Sequence, residues 1–334
     1  MLFPRLLAAT ILGAGSLCSH AATYQLAYVS PADAGWNYID LNSHGAVTGK
    51  TQDDLTFKSR AHIYEHGQIR LLKAVGEYNG GEAINDRGDV AGQCQKHDHH
   101  RSCIWKANGS VEVIANTLGG SKGFLNVKDM NSARQVVGYA QNADKQIRPF
   151  LYENGVTRDL GSLGGSSSEA TGINKLGHVS GYATLPDGTF RAFIHDGTQL
   201  KELGTLGTDT FADALNDNDV AVGRADLNNG SRHAVMFKDG RVIDLGTLGG
   251  GSEAADINNH EVVVGMSRPD DQPDIAFVYR NGRMIDLNTE LDPVSGAGWH
   301  LLTGRKINDK GQIVAIAQHP GEWDSHVVLL TPME

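Results

Sequence analysis

The sequence predicts an all-β fold, a seven-bladed β-propeller of four-stranded antiparallel blades whose ring is closed by the N- and C-terminal strands. Three observations carry this reading. One unit recurs along nearly the whole chain, helical periodicity is almost absent in a Gly-rich composition, and each terminus supplies a strand that the other lacks.

The copies register on Asn42, Asn85, Asn131, Asn174, Asn216, Asn258 and Asn308, at intervals of 43, 46, 43, 42, 42 and 50 residues. Seven residues after each Asn stands Gly49, Gly92, Gly138, Gly181, Gly223 or Gly265, with Ala315 in the last copy. A period in the low forties without helical patterning is the length of a four-stranded blade.

Each blade begins with the Asn strand. The segments Asn42-Ser-His-Gly45, Asn85-Asp-Arg-Gly88, Asn174-Lys-Leu-Gly177 and Asn308-Asp-Lys-Gly311 have hairpin chemistry, with Asn opening a type I turn and Gly in the left-handed position. Arg134, Asp219 and Glu261 replace that Gly in three copies, and the Arg and Glu turns are expected to differ in shape. A Val-rich strand follows (Val136-Val137, Val262 to Val264) and ends at the recurring Gly, which suggests a bulge or a close backbone approach. The third strands are β-branched and aromatic: Ser102 to Trp105, Pro149 to Tyr152, Ala192 to His195, Ala276 to Tyr279. Asn108-Gly109, Asn154-Gly155, Asp196-Gly197, Asp239-Gly240 and Asn281-Gly282 then predict type I′ turns into the fourth strands. Leu163 to Gly165 and its equivalents cross between blades.

At the ends, Tyr24 to Val29 is a fourth strand with no hairpin partner before it, and His326 to Leu330 is a third strand with nothing after it. Pairing them closes the ring and removes an unpaired edge. An open solenoid would need polar end caps, which neither terminus offers.

Met1 to Ala21 has the form of a secretory signal peptide, with Arg5, an apolar run from Leu6 to Leu17 and the small-x-small Ser19-His20-Ala21. Leu17 is too bulky to precede a lipidated Cys18. The expected mature chain, residues 22–334, is therefore a single propeller domain, secreted or periplasmic and monomeric, without a transmembrane segment. Its 28 basic and 39 acidic residues leave a net charge of −11, against nucleic acid or anionic membrane as partner.

On these motifs the chain resembles the extracellular HAF-repeat family of bacterial exported proteins, named for a His-Ala-Phe signature. The matching residues are Asp159 to Gly165 and Asp244 to Gly250 (DLGxLGG), Ile84 to Gly92 and Ile173 to Gly181 (INxxGxVxG), Ala192-Phe193, Ala276-Phe277, and the closing copy from Gly298 to Val314. The full signature is absent; His62, His233 and His326 approximate it. The resemblance covers essentially the mature chain and implies export and a propeller-like fold, with no family catalytic residues to carry over.

Cys94 and Cys103 flank one hairpin loop and are expected to form a disulfide in an exported chain. Between them, His97, Asp98, His99 and His100 have the chemistry to ligate zinc or copper, although neighbouring imidazoles do not converge easily on one ion. No other cofactor is expected. Asp209, Asp213, Asp217 and Asp219 lack the ligand order of a calcium loop and read as turn chemistry. Trp36, Trp299 and His300 are candidates for a ligand face or channel cap, against core packing at the ring closure. Glu169 and Glu253 recur before the Asn strand without a partner that sequence can place. No catalytic motif is found. The leading function is thus an exported rigid binding or scaffold module with a protein or glycan ligand. A polysaccharide hydrolase or lyase acting at the channel and a metal-capture protein are the alternatives.

Overall fold

Seven four-stranded antiparallel sheets surround a common axis, six of them in simple sequential order from an inner to an outer strand and the seventh with the N-terminal strand on its outside. They are blades 1 to 7 below, counted from Asn42 to Asn308. The computed structural model describes residues 23–32, 39–53, 55–95, 101–119, 124–322 and 324–333. Blade 2 shows the pattern, with strands Tyr78–Ile84, Val90–Gln95, Ser102–Trp105 and Val111–Ile114. Among the described residues there is no α-helix, and no helix is long and apolar enough to cross a membrane.

Ring closure follows the expectation. Tyr24–Pro31 is the outermost strand of blade 7 and pairs antiparallel with Ser325–Pro332, Leu26 opposite Leu330. Buried Glu290, in the 3-10 turn Leu287–Glu290, holds this strand by accepting hydrogen bonds from Thr23 Oγ1 and from Arg280 Nη2, the latter at 2.8 Å.

The recurring Gly is explained by close approach. A Cβ added at Gly138, Gly181, Gly223 or Gly265 would stand 1.9–2.1 Å from the carbonyl oxygen of Asn126, Glu169, Phe211 or Glu253 on the inner strand. At Gly181 and Gly265 it would also strike the fully buried rings of Phe193 and Phe277 from the third strand. The bulge lies on the opposite strand. In blades 2 to 7 the register slips beside Glu82, Lys128, Thr171, Asp213, Ala255 and Arg305, three residues before the Asn. Blade 7, with Ala315 in place of Gly, carries a second irregularity between Leu301 and Thr303.

Two turn expectations need correction. Arg134, Asp219 and Glu261 adopt φ of 65°, 59° and 58° and close the same hydrogen bond as the Gly turns, so their turns keep the common shape. The Asn side chain fixes the backbone, and Arg134 and Glu261 are tied down by Asp89 and Lys238, both at 2.6 Å. The outer hairpins are less uniform than expected. Asn154-Gly155, Asp239-Gly240 and Asn281-Gly282 have two positive φ values each, whereas at Asn108-Gly109 and Asp196-Gly197 only the Gly does. His66-Gly67 makes the equivalent turn in blade 1.

Candidate functional site

The channel begins with the Asn residues themselves. Each Oδ1 accepts the backbone N–H groups two and four residues on, as Asn85 does from Arg87 and Asp89, both at 3.0 Å. Each Nδ2 then donates to the backbone carbonyl of the Asn in the next blade. The chain of bonds runs Asn42, Asn85, Asn131, Asn174, Asn216, Asn258, Asn308 and back to Asn42, at 3.0–3.3 Å. All seven side chains are buried, so this closed belt satisfies polar groups that burial would otherwise leave costly.

Two residues before the Asn, a charged layer spans the channel. Asp40, Asp129 and Asp256 each accept the backbone N–H of Ile84, Ile173 and Ile307 in the following blade, at 2.8–2.9 Å. Lys306 reaches in among them, 3.6 Å from Asp40. Burial raises the Asp40 pKa to about 7 against the opposing pull of Lys306, and burial likewise raises Asp256. Burial alone would lower Lys306, but Asp40, Asp256 and Asp129 outweigh it and hold the ammonium charged.

One residue earlier stand the bulged positions. A bulge sets a side chain out of the normal alternation, and here the effect is to aim six of them at the axis. Glu82, Lys128, Thr171, Asp213, Ala255 and Arg305 all line a cavity of about 280 Å³. Glu169, Tyr182, Arg224, Glu253, Thr303 and Lys306 complete its polar wall, and the apolar lining is limited to Ile39, Ala254, Ala255 and Met266. Asp213 pairs with Arg224 at 2.8 Å, and the guanidinium stacks 4.2 Å from the Phe211 ring. Glu253 is reached by Arg232 at 3.5 Å and Arg268 at 3.6 Å. Burial lifts the Glu82 carboxyl to about 8, opposed by Lys128 and Gln93. Tyr182 is raised by burial and by Glu169, and Arg305 is lowered by burial despite the nearby Asp213, Glu253 and Asp256. No histidine lines the cavity among the described residues.

The residues singled out from sequence lie elsewhere. Cys94 and Cys103 are joined by a disulfide with a Cα–Cα distance of 5.8 Å, buried in the core of blade 2 beside Trp105. His97, Asp98, His99, His100 and Trp36 lie outside the described residues, as does Met1 to Ala21. Trp299 packs at the ring closure with Tyr28, His319 and His326, and His300 Nε2 lies 3.0 Å from the Asp274 carbonyl oxygen; neither lines the channel cavity. Asp213 proves to be a channel residue and Asp219 a turn residue. Sequence reasoning missed Lys128, Arg224 and Arg305. Their signal was available: they stand where the copies differ, at fixed offsets from the recurring Asn and Gly.

No known family profile matches the chain, and no curated protein resembles it in sequence. Solved structures do resemble it. A Mycobacterium tuberculosis puromycin-hydrolyzing peptidase superposes with a TM-score of 0.59 at 11% identity, over 93% of this chain and 52% of that one. The chain thus spans about half the length of that peptidase. The Staphylococcus aureus virginiamycin B lyase superposes with a TM-score of 0.52 at 10% identity, over 93% of this chain and 100% of that one. At such identities the likeness is one of fold.

Proposed function

We propose that the protein is an exported binding module of the HAF-repeat kind whose ligand site is the channel cavity rather than a blade edge. The observation that supports this is the convergence of bulged residues from six blades on one polar cavity. A bulge repeated at one position in six of the seven copies, carrying a different side chain each time, is what a built binding wall requires: the backbone is common and the chemistry is local. The disulfide fits folding in an oxidising compartment.

A hydrolase or lyase would use the same convergence, since Glu169 and Glu253 share the cavity with Tyr182. The ion pairs on Asp213 and Glu253 make those two carboxylates poor proton carriers and leave Glu82 and Glu169 as the groups such chemistry would need. A thermal-shift screen of small polar metabolites and oligosaccharides against the mature protein and its Asp213→Asn variant tests the reading. A ligand should raise the melting temperature of the parent and lose most of that shift in the variant. Hits that shift both proteins equally would move the site away from the channel.

A further inference from the structure

Resting on the channel as the ligand site, the chemistry of the ligand follows from which cavity charges have partners. Arg224 is held by Asp213, and Lys306 by Asp40. Arg305 and Lys128 differ. Neither side chain makes a hydrogen bond or an ion pair among the described residues, although Lys128 Nζ lies 5.6 Å from the centre of the Tyr139 ring and its charge is felt by Glu82. They are the bulged residues of blades 7 and 3, nearly across the ring from one another.

A half-buried guanidinium presents five N–H donors in a fixed planar fork, and leaving them without acceptors is costly once water is displaced. That fork matches a carboxylate bidentately. The protein's own carboxylates do not fill the role, since Asp213 is taken by Arg224 and Glu253 by Arg232 and Arg268. Asp213, Glu253 and Asp256 offset part of the Arg305 charge, so a single negative charge matches this place more closely than a phosphate dianion does. An ammonium on the ligand would find these acceptors already occupied. Hydroxyl groups, in contrast, would find a donor in Lys128 and acceptor lone pairs on Glu169 beyond the one that Tyr182 uses. The volume lies near the lower end of ligand cavities, which run from about 300 Å³ upward, and suits a ligand of one sugar ring.

We propose that the channel cavity binds a small polyhydroxylated monocarboxylate, a sugar acid, with its carboxylate on Arg305 and its hydroxyls between Lys128, Glu169 and Tyr182. Glu82, held protonated near neutral pH by burial, adds a hydroxyl donor to the same wall.

Isothermal titration of the mature protein with glucuronate, galacturonate, glucose, glucose 6-phosphate and glutamate tests the proposal. A uronate should bind at least about tenfold more tightly than glucose, the phosphate or glutamate, and Arg305→Met should remove that preference while Arg305→Lys keeps part of it. If Arg305→Met does not fold, Lys128→Met and the ligand series on the parent protein decide the matter. Glucose binding as tightly as the uronates, with loss in Asp213→Asn, overturns the carboxylate assignment and leaves the channel as the site. Uronate binding that neither Arg305→Met nor Asp213→Asn weakens overturns both. No binding by any of the five compounds also overturns the sugar-acid assignment.

Discussion

Asn308 Nδ2 donates a hydrogen bond of 3.1 Å to the backbone carbonyl of Asn42, across 266 residues of sequence. It is the bond by which the seventh Asn returns to the first, and it is chemically the same as the six that precede it. Ring closure here is therefore double: terminal strands pair at the rim, and an amide belt closes around the axis.

The belt predicts an asymmetry between two substitutions. Asn216→Asp keeps the oxygen that caps the turn but sets a second oxygen against the Asn258 carbonyl, now 3.1 Å from Nδ2. It should cost about 2–3 kcal/mol, at or above the cost of Asn216→Ala, because a buried acceptor facing an acceptor is worse than a missing donor. Urea denaturation of the two variants checks this. Equal stability of Asn216→Asp and the parent would show that the belt contributes nothing.

Gly223→Ala should be severe. Its Cβ would lie 2.1 Å from the Phe211 carbonyl oxygen, a backbone atom that cannot move without breaking the bulge at Asp213. A loss of about 3 kcal/mol or more, or failure to fold, is expected. Ala315→Gly, at the matching place in blade 7, should change stability by only about 1 kcal/mol. Denaturation midpoints compare the two.

Removing the Cys94–Cys103 disulfide should destabilise the protein by about 2–3 kcal/mol, for a short closed loop whose two sulfurs lie inside the core of blade 2. Cys94→Ser with Cys103→Ser, and the parent in dithiothreitol, should show similar falls in melting temperature. Two free thiols titrated in the unreduced, denatured parent would contradict the bond.

Glu82 should make stability fall with rising pH. Its carboxyl is raised from 4.5 to about 8 in the folded protein, so the folded state keeps a proton that the unfolded chain releases. Stability is lost as pH climbs between those values and levels off above the upper one. Glu82→Gln removes this dependence and should gain on the parent by on the order of 3 kcal/mol near pH 8, and by much less near pH 5. The difference between variant and parent isolates Glu82 from buried His62. That residue's pKa is lowered by burial to about 4, which works in the opposite sense between pH 4 and 6.5. A variant that gains equally at both pH values would refute the assignment.

The blade plan was legible because it is local. The Asn-to-Gly turns, the Val strands and the type I′ hairpins each need only neighbouring residues, and their recurrence revealed the period. The terminal strands were legible for the same reason, each being recognisable by what its own neighbourhood lacked. The cysteines too could be paired, since they lie on neighbouring strands of one hairpin, Cys103 opposite Gly92 and so diagonal to Cys94. The candidate site was much less visible. Trp299 and His300 drew attention by composition, but Trp299 packs at the ring closure and His300 against the Asp274 carbonyl of blade 6, while Lys128 and Arg305 passed unnoticed in runs that alternate like any strand.

The seven repeats and their turns are written in local patterning, because hydrogen bonds over two to five residues dictate those shapes. What the second half of each Asn side chain does, and which residues face the axis, is set by packing between blades. The amide Nδ2 finds its partner in another blade, 42–50 residues away in six cases and 266 in the seventh. The channel lining depends on a one-residue bulge that moves a side chain out of its strand's alternation, which no period-two reading of the sequence contains.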